Sequence, residues 1–316
     1  MSDRNELSML FSKRSTGIEI SPGGVRCALL SGAVASPRVD KVAFSPLPSN
    51  AVKVSIRELN ILDPESFVNS VRSAHNLLLC ATGRVSVTLP DAVGRIMLLD
   101  LEGRFKSRAE AVDLIRWKLK KNIPFDLADT HLDYQQLTVR ENGDLALLVA
   151  LVSRSVISQY EELLAEAGLT PARIDFNLFN LYRTLERRLS LSDDCILISF
   201  YDGTLGIMVF SQGVPEFIRI KDLSGIMVAG SRLFTEINSS LLIYRERFPE
   251  QKSKTIFCIA PPDIADGFKE IVAEAAGLSS VLLEIKTVVT PGDNAPGDQK
   301  TLFHYTAAIG AALRNL

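Results

Sequence analysis

The hydrophobic pattern of this chain repeats itself. Residues 16–32, TGIEISPGGVRCALLSG, place an apolar strand, a tight turn through Pro22, Gly23 and Gly24, and a second apolar strand. Residues 195–213, CILISFYDGTLGIMVFSQG, run through the same order of strand, glycine-containing turn, strand and Ser/Gly exit. Two copies of one unit, about one domain length apart, predict a duplicated fold. Small residues in such turns let backbone N–H groups approach an anion closely, so both hairpins are candidate phosphate cradles.

The elements between and after the two copies alternate. Residues 36–48, rich in Pro and Ser, predict loop or edge strand. Asp63 and Pro64 open a helix with a cap and a first-turn proline, carrying Phe67, Val68 and Val71 on one face. Residues 84–90 alternate strictly and predict a strand, with a second at 95–101. Ser107 and Glu110 form a capping box for a helix over 107–122, whose apolar face holds Ala111, Val112, Ile115 and Leu119. Ile123, Pro124 and Phe125 end it. Residues 131–140 and 145–152 pair across a Glu-Asn-Gly-Asp turn. Ser153 then caps a helix that runs to Gly168, a short strand covers 172–176, and a helix covers 178–189 with Leu181 and Leu185 inward.

The chain restarts after a polar stretch at 189–194. A third strand is predicted at 214–220, a long helix at 227–248, a buried strand at 255–260, a helix at 263–277 and a strand at 281–285. Residues 290–300 predict a loop, and 302–314 one final helix rich in small residues. Interleaved strands and helices give a mixed α/β class. The expected organisation is a lead at 1–15, a first lobe at 16–190 with an inserted subdomain at about 83–152, and a second lobe at 191–316 whose final helix packs on the first.

Composition narrows the partners. With 47% hydrophobic residues in 316, the chain can bury a core in each of two medium domains. A net charge of −2 and a pI near 6.0 favour neither nucleic acid nor an anionic membrane as the main partner. No apolar run is long enough to span a bilayer, and the N-terminus lacks the apolar core of a secretory signal, which predicts a cytoplasmic protein that meets membrane only through partners. Cys27, Cys80, Cys195 and Cys258 are widely spaced and predict reduced, mostly buried thiols; no metal-like spacing is present.

Charge is local. Residues 104–121 carry seven basic side chains against two acidic ones, a net of +5, and a helical wheel sets Trp117 beside Lys120 and Lys121, away from the apolar stripe. Two readings fit: a solvated helix whose tryptophan is covered by another part of the fold, or a docking face with an aromatic anchor.

The order of these stretches resembles the type IV pilus assembly protein PilM family, over most of the chain from Ser15 onward. The resemblance rests on GIEISPGGVRCALL, on RVSVTLP followed by WKLKKNIPFDLADTHLDYQQL, on VISQYEELLAEAGLTPARIDFNLFNLYRTLE, and on ILISFYDGTLGIMVFSQGVPEFIRI. It implies an actin-like (ribonuclease H-like) duplicated fold of two lobes with an extra inserted subdomain. It also implies a cytoplasmic protein at the inner-membrane base of a pilus machine, binding the cytoplasmic tail of a PilN-like protein beside that subdomain and coupling it to motor ATPases. The cytoplasmic domain of the type II secretion L protein is similar in fold and role.

The cofactor such a fold brings is ATP with magnesium, and here the motifs depart. The first phosphate loop of the family reads Asp-x-Gly and ends in a lysine; this chain has Glu19, Ser21 and Arg26 at those places, around Gly23 and Gly24. Glu19 keeps a carboxylate able to orient magnesium-bound water, whereas Ser21 crowds a phosphate and Pro22 removes a backbone donor. The second Asp-x-Gly is replaced by Ser199 and Tyr201, with Asp202, Gly203 and Thr204 displaced toward the turn. A neutral Ser199 cannot act as a base. The Gly-Gly pair expected after a later strand falls at Ala260, Pro261 and Pro262. The expectation is a non-enzymatic scaffold whose partner site includes Ile96, Leu98, Trp117, Lys120, Lys121, Ile123 and Phe125. The alternatives are an ATP-binding or ATP-hydrolysing protein of the same fold, and a component of a type II secretion system.

Overall fold

The computed structural model describes residues 13–103, 105–120, 123, 126–224, 230–249 and 255–316. Along the first half run β1 (Arg14–Ser21), β2 (Gly24–Ala33), β3 (Ser36–Pro46), α1 (Pro64–Leu77), β4 (Arg84–Leu89), β5 (Gly94–Leu101), α2 (Arg108–Leu119), β6 (Thr130–Val139), β7 (Leu145–Ser153), α3 (Arg154–Glu166), β8 (Thr170–Phe176) and α4 (Asn177–Leu189). The second half holds β9 (Cys195–Tyr201), β10 (Thr204–Ser211), β11 (Val214–Asp222), α5 (Gly230–Arg247), β12 (Thr255–Ile259), α6 (Ala265–Ala276), β13 (Ser280–Leu282), β14 (Thr290–Pro291), α7 (Gln299–Phe303) and α8 (Thr306–Leu313).

Duplication is visible in strand order. One sheet runs β14-β3-β2-β1-β4-β8 and another β11-β10-β9-β12-β13. Setting β14 aside, both are an antiparallel trio whose first strand pairs in parallel with a fourth, which pairs in parallel with a fifth. The insertion after β4 forms its own three-stranded sheet, β5-β7-β6, covered on one face by α2.

Period-2 alternation sorts each sheet into two cores. Ile18, Ile20, Cys27, Val85 and Val87 pack with α1 and α3 on the outer face of the first sheet. Ile196, Ile198 and Ile207 do the same with α5 and α6 on the second. Between the sheets lies a shared core of α4 and α8 with Ala28, Leu30, Leu197 and Phe210. All eight residues of α8 are buried, and a Cβ at Gly17 would come within 1.9 Å of the Ala308 carbonyl oxygen. Gly17 is therefore the contact that lets α8 lie directly on β1.

Several local expectations change. The Pro- and Ser-rich 36–48 stretch holds the long strand β3, because its register with β2 buries Val39 and Ala43 on alternate faces. The loop over 290–300 contains β14, which pairs with Arg38 and Val39 and so ties the second half to the first sheet. The single final helix is two, broken at His304 and Tyr305, where the chain turns onto β1. Ser153 sits at the N-cap of α3 without accepting from a helix backbone N–H; its hydroxyl meets that of Ser155 at 2.9 Å instead. Ser107 does cap α2, accepting from the Glu110 N–H, while Glu110 reaches the Lys106 N–H, one residue earlier than a capping box requires. The expected ends of two helices, at 121–122 and 227–229, lie outside the described residues. Among the described residues no helix is long and apolar enough to cross a membrane.

Candidate functional site

The two hairpins face each other where the lobes meet. Each closes through a two-residue turn. The Asp202-Gly203 turn has φ of 46° and 74°, the left-handed pair that suits a tight hairpin of this twist. The first turn cannot match it, since the ring of Pro22 fixes φ near −65°. Its Gly24 is fixed by packing, because a Cβ there would meet the Phe44 ring at 2.5 Å. The guanidinium of Arg26 lies 5.3 Å from the centroid of that same ring.

Strand alternation aims Glu19 and Arg26, directly opposite each other on β1 and β2, toward α7 and α8. The same rule aims Ser199 and Tyr201 from β9 toward the first lobe, since Leu197 and Tyr201 both enter the shared core. The result is a contact across the cleft. The Tyr201 hydroxyl lies 2.7 Å from Glu19 Oε2 and 3.0 Å from the His304 carbonyl oxygen. Arg26 Nη1 is 3.7 Å from Glu19 Oε1, too far for a hydrogen bond, and 3.4 Å from the Ser21 hydroxyl. Glu19 is wholly buried and its Oε1 has no hydrogen-bond partner. Burial pushes the Glu19 carboxyl up to about 8, against the opposing pull of Arg26.

These residues do not fit a magnesium nucleotide as they stand. Ser21 and Ser199 are buried, and the Ser199 hydroxyl is spent on the Gly206 carbonyl, 3.3 Å away on the neighbouring strand. A phosphate would have to displace Tyr201 to reach Glu19. Gly23 and Asp202 are exposed at the turns, with Gly203 and Thr204 half-buried, but the carboxylate that would face a metal-bound water is sealed beneath them.

A second concavity is open. It has a volume of about 1020 Å3 and lies between the inserted sheet, β8 and the start of β11. Its walls include His131, Asp133, Gln135 and Leu137 of β6, Leu148 and Ala150 of β7, Pro171 to Phe176 of β8, Phe179 and Tyr182 of α4, and Phe210 of β10. Tyr182 and Phe210 stack with centroids 5.2 Å apart. Both β6 and β8 are edge strands, so two rows of backbone groups border the groove without a strand partner. Six of its charged side chains pair off: Arg108 with Asp133, Arg183 with Glu186, and Arg314 with Asp175 at 2.8 Å; Glu161 and Arg173 line it as well. Arg140 bridges Asp100 at 3.1 Å and Glu216 at 3.2 Å, holding the inserted sheet against the second lobe.

The structure separates the expected partner residues. Ile96 and Leu98 lie opposite Ala150 and Leu148, which line the groove, so they sit on its face one strand further in. Trp117 is 74% exposed on α2, which covers the opposite face of that sheet. Lys120 is also exposed there, and Ile123 packs partly against the core beneath it; Lys121 and Phe125 lie outside the described residues. No fold element covers Trp117 among the described residues, and it takes no part in the groove. Tyr182, Phe210 and the β8 edge were missed from sequence, because their convergence depends on how three sheets are placed.

Two lobes of one topology, meeting at paired hairpins and carrying one inserted sheet, define an actin-like fold. The chain belongs to the type IV pilus assembly protein PilM family, whose model matches residues 17–198, more than half its length. It is similar in structure to a PilM-PilN type IV pilus biogenesis complex, with TM-score 0.77 and 17% identity over 95% of this chain and 98% of that one. A second similar structure is the cytoplasmic domain of EpsL, an inner membrane component of the type II secretion system of Vibrio cholerae, with TM-score 0.55 and 11% identity over 96% of each chain. A third is a Bacteroides thetaiotaomicron protein with an actin-like ATPase fold, with TM-score 0.51 and 11% identity over 88% of this chain and 92% of that one.

Proposed function

We propose that this protein is a non-enzymatic scaffold of a type IV pilus assembly platform, receiving the cytoplasmic tail of a PilN-like inner-membrane protein as an extended peptide in the groove beside the inserted sheet. The observation that carries the reading is the pair of edge strands, β6 and β8, bordering one groove. An extended segment adds to such an edge through main-chain hydrogen bonds, while alternate side chains enter pockets and set specificity. Stacked Tyr182 and Phe210 supply an apolar wall for those side chains. Because most of the groove's charges are paired and the remaining two, Glu161 and Arg173, are of opposite sign, recognition rests on backbone and apolar contact more than on a basic field.

Family membership supports a pilus role, and a similar structure is a complex with PilN. Onward coupling to a motor ATPase belongs to the same proposal and leaves the outer surfaces of both lobes to make it. ATP turnover is not part of this reading, because Ser199 lacks a carboxylate and Glu19 is sealed. The test is titration of the full chain with a synthetic peptide of the cytoplasmic tail of a PilN-like protein. Saturable binding, weakened at least tenfold by Leu137→Glu and unchanged by Trp117→Ala with Lys120→Glu, is the expected result. Binding lost in the Trp117 variant and kept in the Leu137 variant would move the partner to the α2 face.

A further inference from the structure

The cleft between the hairpins poses a problem of proton counting that is independent of the groove. The Tyr201 hydroxyl has one proton and two oxygens within reach, Glu19 Oε2 at 2.7 Å and the His304 carbonyl at 3.0 Å. If Glu19 were ionised, Tyr201 would have to donate to it, and the carbonyl would lose that donor. Glu19 Oε1 would then be a buried anionic oxygen with no hydrogen bond, since Arg26 stands 3.7 Å away. A neutral Glu19 removes the first difficulty and lessens the second, since Oε1 is then an uncharged carbonyl oxygen. Its own O–H donates to Tyr201, Tyr201 donates to His304, and every proton has one acceptor.

We propose that this chain, Glu19 to Tyr201 to the His304 carbonyl, is a latch standing where the fold would otherwise hold a nucleotide, and that it joins the lobes through a protonated Glu19. It connects β1 of the first sheet, the end of β9 in the second, and the corner between α7 and α8 that leads into the shared core. Tyr201 occupies the position of a glycine in the family's second phosphate loop, and Glu19 that of an aspartate in the first. The two departures compensate each other, since the longer acid and the added phenol meet at hydrogen-bond distance.

The charged and titratable groups around Glu19 are Arg26 from β2, Tyr201 at the end of β9, Asp202 in the turn after it and Tyr305 from the helix corner, while the neighbouring His304 acts on Arg26 and Asp202. Desolvation outweighs the attraction of Arg26, so the native state holds a proton that the unfolded chain gives up near 4.5. Stability contributed by this site is whole below about pH 4.5, falls as pH rises, and levels off above about pH 8, where both states are ionised. Asp91, raised by burial to about 7, titrates in the same window, so the difference between variant and wild type is the readout.

Glu19→Gln keeps the shape and a donor toward Tyr201 but cannot ionise. Its melting temperature should exceed that of wild type near pH 8, and the gap should close as pH approaches 5. Infrared difference spectra at pH 7 should show a neutral carboxylic acid band in wild type that Glu19→Gln removes. Tyr201→Phe should melt below wild type throughout, and Mg-ATP should leave the wild-type melting temperature unchanged. A Glu19→Gln difference that is flat with pH, absence of the carboxylic acid band, or a Tyr201→Phe protein as stable as wild type would overturn the latch. A melting shift with Mg-ATP would show instead that a nucleotide displaces Tyr201.

Discussion

Two concavities of one molecule have opposite character. The inter-lobe cleft is filled by the protein's own Glu19 and Tyr201, both buried, in contact, and bound to the corner that leads into α8. The groove beside the inserted sheet is open, holds about 1020 Å3, and is bordered by two edge strands without a second neighbour. One turns its polar groups toward each other; the other leaves edge backbone donors and acceptors without a strand partner. The comparison teaches that a duplicated actin-like body can turn its hairpins to interior packing while an insertion adds an open groove at its side.

The most severe break of the comparison lies behind the cleft. Gly17→Ala drives a methyl group to within 1.9 Å of the Ala308 carbonyl oxygen and should force α8 off β1. A loss of at least about 3 kcal/mol is expected in denaturant unfolding, more than most single substitutions cost. Tyr201→Phe comes next, losing about 1–3 kcal/mol because Glu19 and the His304 carbonyl are both left without their shared hydroxyl. Peptide affinity at the groove should be unchanged in that variant, which separates the two concavities by calorimetry.

Leu137→Glu sharpens the other side. A carboxylate among the apolar walls of the groove should weaken peptide binding tenfold or more, about 1.4 kcal/mol, with little change in melting temperature. The smallest effect belongs to Trp117→Ala. With its ring 74% exposed, stability should stay within about 0.5 kcal/mol of wild type in the same unfolding assay.

Much of this architecture was legible because periodicity carries it. Alternation in residues 16–32 and 195–213 marks the paired hairpins, and Gly168 and Gly277, with φ of 84° and 69°, end the helices that their sequence positions suggest. The role of Tyr201 was half visible: alternation with Leu197 set its face, but nothing local said that Glu19 would stand opposite, 182 positions away. The groove was less legible still, since Phe210, Tyr182 and the β8 edge come together only through the packing of three sheets. Trp117 shows a related limit. A helical wheel separates it from the apolar stripe correctly, yet says nothing about which side of the inserted sheet the helix covers.

Amide hydrogen exchange on the full chain tests the contrast most directly, comparing the free protein with added tail peptide and with added Mg-ATP. The account predicts that the peptide slows exchange along β6 and β8 and that Mg-ATP slows nothing in β1, β2, β9 or β10. Protection of those four strands by Mg-ATP, with β6 and β8 unaffected by the peptide, would contradict it.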